Sequence, residues 1–328
     1  MKQFSHRHHL AVTILIVLHV TVLLAGFLAP YDPVAQNRKS PLLAPTSVHF
    51  VDSLGVFHLG PVVRSAAGAP EYPLHFLVHG STYQFLGLWT AHTHLFGVDE
   101  PGRLFLLGTD EFGRDQFSRI LWGGQISLLV GWLATLLALG AGLVLGSVAG
   151  FFGGWPDAVI MRGAELFLAL PWLYLLLAVR AFLPLSLPPY AAALILTVIV
   201  GIVGWARPAR LIRGIVLSAR ERDFVTAARG FGASSWHLLR RHCMPETYSV
   251  LATQATLLIP QFILAEVALS FIGLGVGEPA PSWGNLLAPL RQMPILTSSW
   301  WMIIPALVVM ITSWCFLSLG DVIVHDEA

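Results

Sequence analysis

Residues 221–245 read ERDFVTAARGFGASSWHLLRRHCMP, from Glu221 to Pro245. No helix breaker interrupts the stretch up to Ala228. Phe224, Ala227, Ala228 and Phe231 recur at spacings of three and four, which predicts a short helix with these residues on one face. Gly232 supplies a residue that accepts positive φ at no steric cost. Ser234 or Ser235 can then cap a second short helix, with Trp236 and Leu238 or Leu239 on its apolar side. Pro245 ends or kinks that helix. The product is two short helices joined at a glycine, with small apolar residues set among arginines. Two readings are open. An arginine-rich loop can lie along an anionic membrane surface. Small residues at Ala227, Ala228 and Gly232 also let a helix sink into a groove on a partner.

The surroundings of this stretch are apolar. The runs Leu10–Leu28, Ile126–Phe152, Leu166–Phe182, Tyr190–Trp205, Val250–Val276 and Trp300–Leu319 approach or exceed the roughly 18–20 residues of a spanning helix. The chain is 55% hydrophobic and 11% charged, against about 25% charged in soluble domains. The expectation is an all-α polytopic membrane protein of about six spanning helices. A net charge of +1 argues against a general nucleic-acid surface. Between Ala206 and Ser249 lie Arg207, Arg210, Arg213, Arg220, Arg222, Arg229, Arg240 and Arg241, whereas 183–189 carries no charge and 277–299 only Glu278 and Arg291. Positive charge resists translocation, so 206–249 is expected in the cytoplasm with both termini, and 30–119 outside.

Lys2 and Arg7 precede the first apolar run, as in a signal peptide. That run is roughly 19 residues, longer than the roughly 7–15 of a signal core. Pro30 and Pro33 follow it in place of a small-residue cleavage site, so 1–29 is expected to stay as a helix. Segment 30–119 is too long for a connector and mixes Phe50, Phe57, Phe76, Phe85, Trp89 and Phe96 with polar residues. Strand-like stretches such as His75–Val78 predict a small folded element there. Residues 120–328 then form a five-helix core. Within its first helix Ala134, Ala138, Gly142, Gly146 and Gly150 recur every fourth residue, a stripe for close packing of another backbone.

Several chemistries lack their residues. A P-loop needs a lysine after its glycine-rich cradle, and the lysines here are Lys2 and Lys39. No H-E-x-x-H zinc motif or G-x-S-x-G elbow is present. Cys243 and Cys315 lie outside the long polar loop and give no disulfide framework. His75, His79, His92 and His94 are close enough in sequence for a metal site, but solvated or hydrogen-bonded loop histidines fit as well. His6, His8 and His9 read as membrane-flanking residues. No catalytic, cofactor-binding or metal residue is expected.

The order Ala227–Ala228, Gly232, Pro245 resembles the EAA loop of ABC-importer permeases: Glu-Ala-Ala, three residues, Gly, nine residues, Ile-x-Leu-Pro. Thr226 stands where that family often has Glu, and His242 and Met244 where Ile and Leu are usual. Pro30-Tyr31-Asp32-Pro33, then LGTDEFGRDQFSR at 107–119, then LSFIGLGVGEPAPSWGNLL at 269–287, are similar to the C-type permease of dipeptide, oligopeptide and nickel importers. The resemblance covers most of the chain apart from about 37–102. It implies the type I importer fold, with 30–119 carrying an extracytoplasmic insertion, in a prokaryotic plasma membrane. It implies a second homologous permease subunit, two cytoplasmic ATPase subunits that bind the ATP, an extracytoplasmic solute-binding protein and surrounding membrane lipid. Thr226, Ala227, Ala228, Gly232, Trp236 and Pro245 then form the ATPase-coupling loop. Trp89, Phe96 and Trp283 become candidate contacts for the binding protein.

Glu266 sits inside the fifth apolar run. An ionisable group at that depth is a functional candidate by default, here for the solute path or its gating. A structural hydrogen bond, for example to Gln254, or burial as the neutral acid would also account for it. Arg180 near a span end reads as a snorkelling residue. A secondary transporter or a channel without an ATPase partner is the alternative class. A secondary transporter would carry its own mid-membrane coupling groups, often in internal repeats; Glu266 is the one candidate and no repeat is evident.

Overall fold

The computed structural model describes residues 2–51, 55–64, 70–85, 89–181 and 188–325. Its elements in chain order are α1 (Lys2–Leu23), α2 (Ala25–Leu28), strands β1 (Ser47–Val51), β2 (Phe57–Arg64), β3 (Glu71–Phe85) and β4 (Trp89–Val98), then α3 (Gln116–Phe152), α4 (Gly154–Ala169), α5 (Trp172–Ala181), α6 (Pro189–Gly204), α7 (Ala206–Ala219), α8 (Asp223–Gly230), α9 (Ser235–Leu238), α10 (Tyr248–Phe271), α11 (Trp283–Leu287), α12 (Met293–Ser298) and α13 (Ile304–His325). The chain divides into two compact units: Met1–Thr13, Leu128–Glu266 and Ile311–Ala328 form one, Ile14–Ser127 and Val267–Met310 the other.

Among the described residues three helical stretches can cross a membrane by length and composition: Gln116–Phe152, Ser235–Phe271 and Trp300–Gly320. The pair α6–α7, bent by 40°, makes a fourth if counted as one span. The run expected at Leu166–Phe182 is divided. Proline disfavours helical φ/ψ in the residue before it. Leu170, before Pro171, accordingly adopts ψ 135° and ends α4, and α5 restarts at Trp172. Residues 182–187, within the uncharged 183–189 loop, lie outside the described residues, as does the side chain of Arg180.

The first unit is organised around the small-residue stripe of α3. Ala134 and Ala138 are fully buried. A Cβ added at Gly142 would meet Pro208 Cβ at 2.8 Å, at Gly146 the Ala209 carbonyl oxygen at 2.5 Å, and at Gly150 the Arg213 carbonyl oxygen at 2.6 Å. The backbone of α7 therefore lies directly on α3, which only residues without a side chain permit. The buried side of α7, Ala209, Ile212 and Val216, faces this contact while Arg207 and Arg210 point outward.

The second unit corrects the all-α expectation. Its strands β1 to β4 form a four-stranded antiparallel sheet in the order β1-β2-β3-β4. Val48 pairs with Val63, Val63 with Tyr72, and Phe76 with Phe96. Valines and aromatics suit such a pleated surface, and the strand-like stretch His75–Val78 lies within β3. The sheet is tied to α2. Gly26 lies against the Tyr83 ring, and the buried His94 places its ring nitrogens 2.6 Å from the Ala29 carbonyl and 2.9 Å from that of Ser81.

Candidate functional site

Two sites emerge. The first is the arginine-rich loop of the first unit. α8 ends at Gly230, Gly232 two residues on takes φ 85° as the turn between the helices, and Ser234 caps α9 by accepting the His237 amide at 3.3 Å. The two short helices are seated on a core. Val225, Leu238, Leu239 and Cys243 are buried with Phe151, Ile212, Val216 and Ala219, and Ala228 and Ala233 pack partly against them. Arg220 donates to the carbonyls of Gly150 and Phe151 at 3.1 Å, capping orphan acceptors at the C-terminus of α3. Arg222 pairs with Glu246 at 2.9 Å, and Arg213 with Asp157.

What this base presents outward is Phe224, Thr226, Ala227, Phe231 and Trp236. Phe231 is 94% exposed. Trp236 corrects the reading that placed it on the apolar side of α9: it is 65% exposed, and Leu238 and Leu239 alone turn inward. Pro245 neither ends nor breaks the helix. The ladder rewinds over Leu239–Cys243 into a π segment, closed by the Met244 amide on the Leu239 carbonyl at 2.9 Å. A short 3₁₀ turn at Pro245–Thr247 then leads into α10. A proline lacking its own N–H is absorbed by this change of winding.

The second site lies in the second unit and joins the three stretches that carried the resemblance. Asp110 accepts the amides of Phe112 at 2.8 Å and Arg114 at 3.0 Å, and binds Arg114 Nε at 2.6 Å. Arg114 Nη1 donates to Glu278 at 2.6 Å. Arg119 Nη2 donates to the same carboxylate at 2.9 Å, and its Nη1 to the Pro33 carbonyl at 3.0 Å. Tyr31 accepts the Leu104 amide through its hydroxyl at 2.9 Å. Arg114, Arg119, Asp110 and Asp115 are buried, while the Glu278 side chain is 45% exposed. The segments 30–33, 107–119 and 269–287 carry no local sign of this role. Arg119 and Glu278 are 159 residues apart, and no local signal links them.

Asp115 caps α3, accepting the Ser118 amide at 2.8 Å and its hydroxyl at 2.6 Å. Burial pushes its carboxyl up from 3.8 to about 6, against the opposing pull of those hydrogen bonds. The folded chain thus holds this proton more tightly than the unfolded chain. The stabilisation is full below 3.8 and is lost as pH rises through about 6. Asn caps helices about as well as Asp, so Asp115→Asn should raise the melting temperature above wild type at pH 7.5. The gain should shrink towards pH 4. Melting curves in detergent across that range test it; a gain that does not vary with pH would exclude Asp115 as the source.

The remaining candidates separate. Trp89 is 64% exposed on the sheet and Phe96 is half-buried, 6.2 Å from the Phe117 ring. Trp283 is corrected: it is fully buried, donating Nε1 to the Ile120 carbonyl at 3.1 Å, so it has no surface to offer a partner. Glu266 is fully buried in α10. Gln254 is not its partner, because twelve residues along one helix separate them by about 18 Å. The His79 and His92 rings lie tilted to one another with centroids 4.9 Å apart, and His75 sits 3.3 Å from Asp99. Among the described residues no three His, Cys, Asp or Glu side chains gather as a metal site.

Residues 142–325 match the family described as binding-protein-dependent transport system inner membrane component. The dipeptide transport system permease protein DppC of Bacillus subtilis (strain 168) is 37% identical over 215 residues, 65% of each chain. DppC of Alkalihalophilus pseudofirmus is 38% identical over 67% of this chain and 70% of the relative. The oligopeptide transport system permease protein OppC of B. subtilis is 35% identical over 70% and 73% respectively. This chain therefore spans just under two thirds of the first relative's length. Among solved structures, the inward-facing MetNI methionine ABC transporter aligns at 20% identity with a TM-score of 0.49, over 64% of this chain and 96% of that one.

Proposed function

We propose, from the premise that this chain belongs to the family of binding-protein-dependent transport system inner membrane components, that it is the permease subunit of an ATP-driven peptide importer. Peptide as the solute is supported by the names of its relatives, which include dipeptide and oligopeptide permeases. In this reading the chain crosses the membrane about six times. It forms half of the path with a second, homologous permease. Two cytoplasmic ATPase subunits supply the energy, and an extracytoplasmic binding protein delivers the solute. The arginine content of 206–249 supports a cytoplasmic position for that loop and both termini. Residues 30–119, including the sheet, then lie outside, where exposed Trp89 and, further along β4, half-buried Phe96 offer the binding protein a landing surface. Glu266, buried in this state, would reach the path only through a rearrangement that exposes it.

The observation that carries the reading is the seated loop. Ala227, Gly232 and the nearly bare Phe231 stand on a base anchored to α3 and α7, a shape suited to insertion into a partner's groove. Gly232 gives the test. A Cβ there meets nothing within 4 Å, so space is not limiting, but φ 85° excludes a β-branched residue without strain. Gly232→Val should therefore redirect Phe231 and abolish co-purification of the ATPase subunits and solute uptake. Gly232→Asn tolerates positive φ and should keep both. Trp89→Ser should keep the ATPase and lose uptake. Full coupling in Gly232→Val would refute the docking assignment, and full uptake in Trp89→Ser the landing surface.

A further inference from the structure

The outward arginines of the loop are not all alike. Arg213, Arg220 and Arg222 each have an acidic partner in Asp157, Glu221 and Glu246. Arg240 and Arg241 are exposed, and among the described residues their side chains make no ion pair or hydrogen bond. Both open into a groove of about 920 Å³ that they line with Trp236, His237, Met244 and Tyr248. That volume lies within the range of ligand clefts, about 300–1,000 Å³. The groove thus combines two unneutralised guanidinium groups and a histidine with aromatic and thioether surface. This is the chemistry of a ligand with an anionic head and an apolar remainder.

The position along the helix names that ligand. Tyr248 opens α10, the apolar part of the candidate span Ser235–Phe271. The groove therefore starts at the level where the hydrocarbon ends and aromatic side chains sit at the membrane interface. Arg241 lies about 10 Å further along the axis, at 1.5 Å per residue. The headgroup layer fills about 5–8 Å of that distance, and an arginine stem reaching back toward the bilayer covers the rest. Guanidinium matches phosphate geometry with paired donors. We propose that this groove seats the phosphate of an anionic phospholipid, held by Arg240 and Arg241, with the lipid's apolar part along Met244 and Tyr248.

The site requires only that the chain be embedded in a membrane. Its consequence rests on the function proposed above: α9 and Trp236 form one wall, so a bound headgroup would brace the segment that docks the ATPase. The test is native mass spectrometry of the detergent-solubilised full chain, titrated separately with phosphatidylglycerol and phosphatidylcholine. Wild type should retain phosphatidylglycerol at least about tenfold better. Arg240→Gln/Arg241→Gln should lose that preference, while Arg207→Gln/Arg210→Gln, on α7, should keep it. A melting temperature within the range of wild type shows that the double variant is folded. Equal retention of both lipids by wild type, or an undiminished preference in Arg240→Gln/Arg241→Gln, would overturn the proposal. So would inorganic phosphate displacing the lipid at equal concentration, which would assign the groove to the free ion. A double variant that keeps the lipid preference but no longer co-purifies with the ATPase would assign the arginines to a protein contact instead. Loss of lipid preference with ATPase binding intact supports the lipid site and leaves the docking assignment standing.

Discussion

Arg119→Ala should destabilise the chain by about 3–5 kcal/mol, the cost of breaking a buried charge pair from one side. The Arg119 side chain is almost wholly buried. It donates to Glu278 at 2.9 and 3.2 Å and to Pro33 at 3.0 Å, and lies 3.6 Å from Asp110. Its removal leaves the buried Asp110 and the Pro33 carbonyl short of a partner. Arg114 alone then has to serve both carboxylates. Lysine is no substitute, since one ammonium does not supply the guanidinium's planar fork. Glu278 differs because it is partly open to water. Adding Glu278→Gln to Arg119→Ala should therefore cost less than the sum of the two single changes, because they share the Arg119–Glu278 contact, while the Glu278–Arg114 pair at 2.6 Å is lost only with Glu278→Gln. Denaturation in detergent, read by loss of the monodisperse peak, measures both. Fully additive losses would show that the two residues do not act as a unit.

Gly146→Leu should cost more than the roughly 1–3 kcal/mol of ordinary overpacking. The reason is that its Cβ meets backbone. It would stand 2.5 Å from the Ala209 carbonyl oxygen and 3.0 Å from Ile212 Cβ, and neither belongs to a flexible side-chain end that swings away. Accommodating leucine requires α7 to lift from α3, which also unseats Arg220 from the carbonyls it caps and loosens the base of the arginine-rich loop. Gly140 supplies the control. It lies on the same helix, yet a Cβ there meets nothing within 4 Å. Gly140→Leu should express and migrate like wild type while Gly146→Leu aggregates or is degraded. Matching behaviour of the two variants would mean that α7 does not bear on α3 as described.

The sequence disclosed those parts of the protein whose signals are local or periodic. The helix–glycine–helix loop was legible because φ freedom at Gly232 and the capping chemistry of Ser234 act over a few residues. The α3 stripe was legible because one residue in four marks one face. Strand-like stretches such as His75–Val78 announced a folded element in 30–119, though the pairing of four strands lay beyond a single-sequence reading. The broken third run could have been anticipated from Pro171, but length and hydropathy outweighed it. Trp283 misled because an aromatic in a polar loop resembles an interface residue, and only the fold reveals that Ile120 receives its N–H. The cluster of Asp110, Arg114, Arg119 and Glu278 was hidden for the same reason. Opposite charges far apart in sequence give no periodicity, and their pairing is a property of topology.

The π segment between α9 and α10 has a mechanical meaning. A π turn is an α-helix holding one residue in excess. Five residues, Leu239–Cys243, carry that excess between the short helix α9 and the start of α10. Returning them to regular winding would displace the joint by one residue, which on an α-helix is about 100° of rotation and 1.5 Å of travel. Such a change of winding would act as a screw thread. A push on α9 need not bend the chain to be felt in α10; it can turn it.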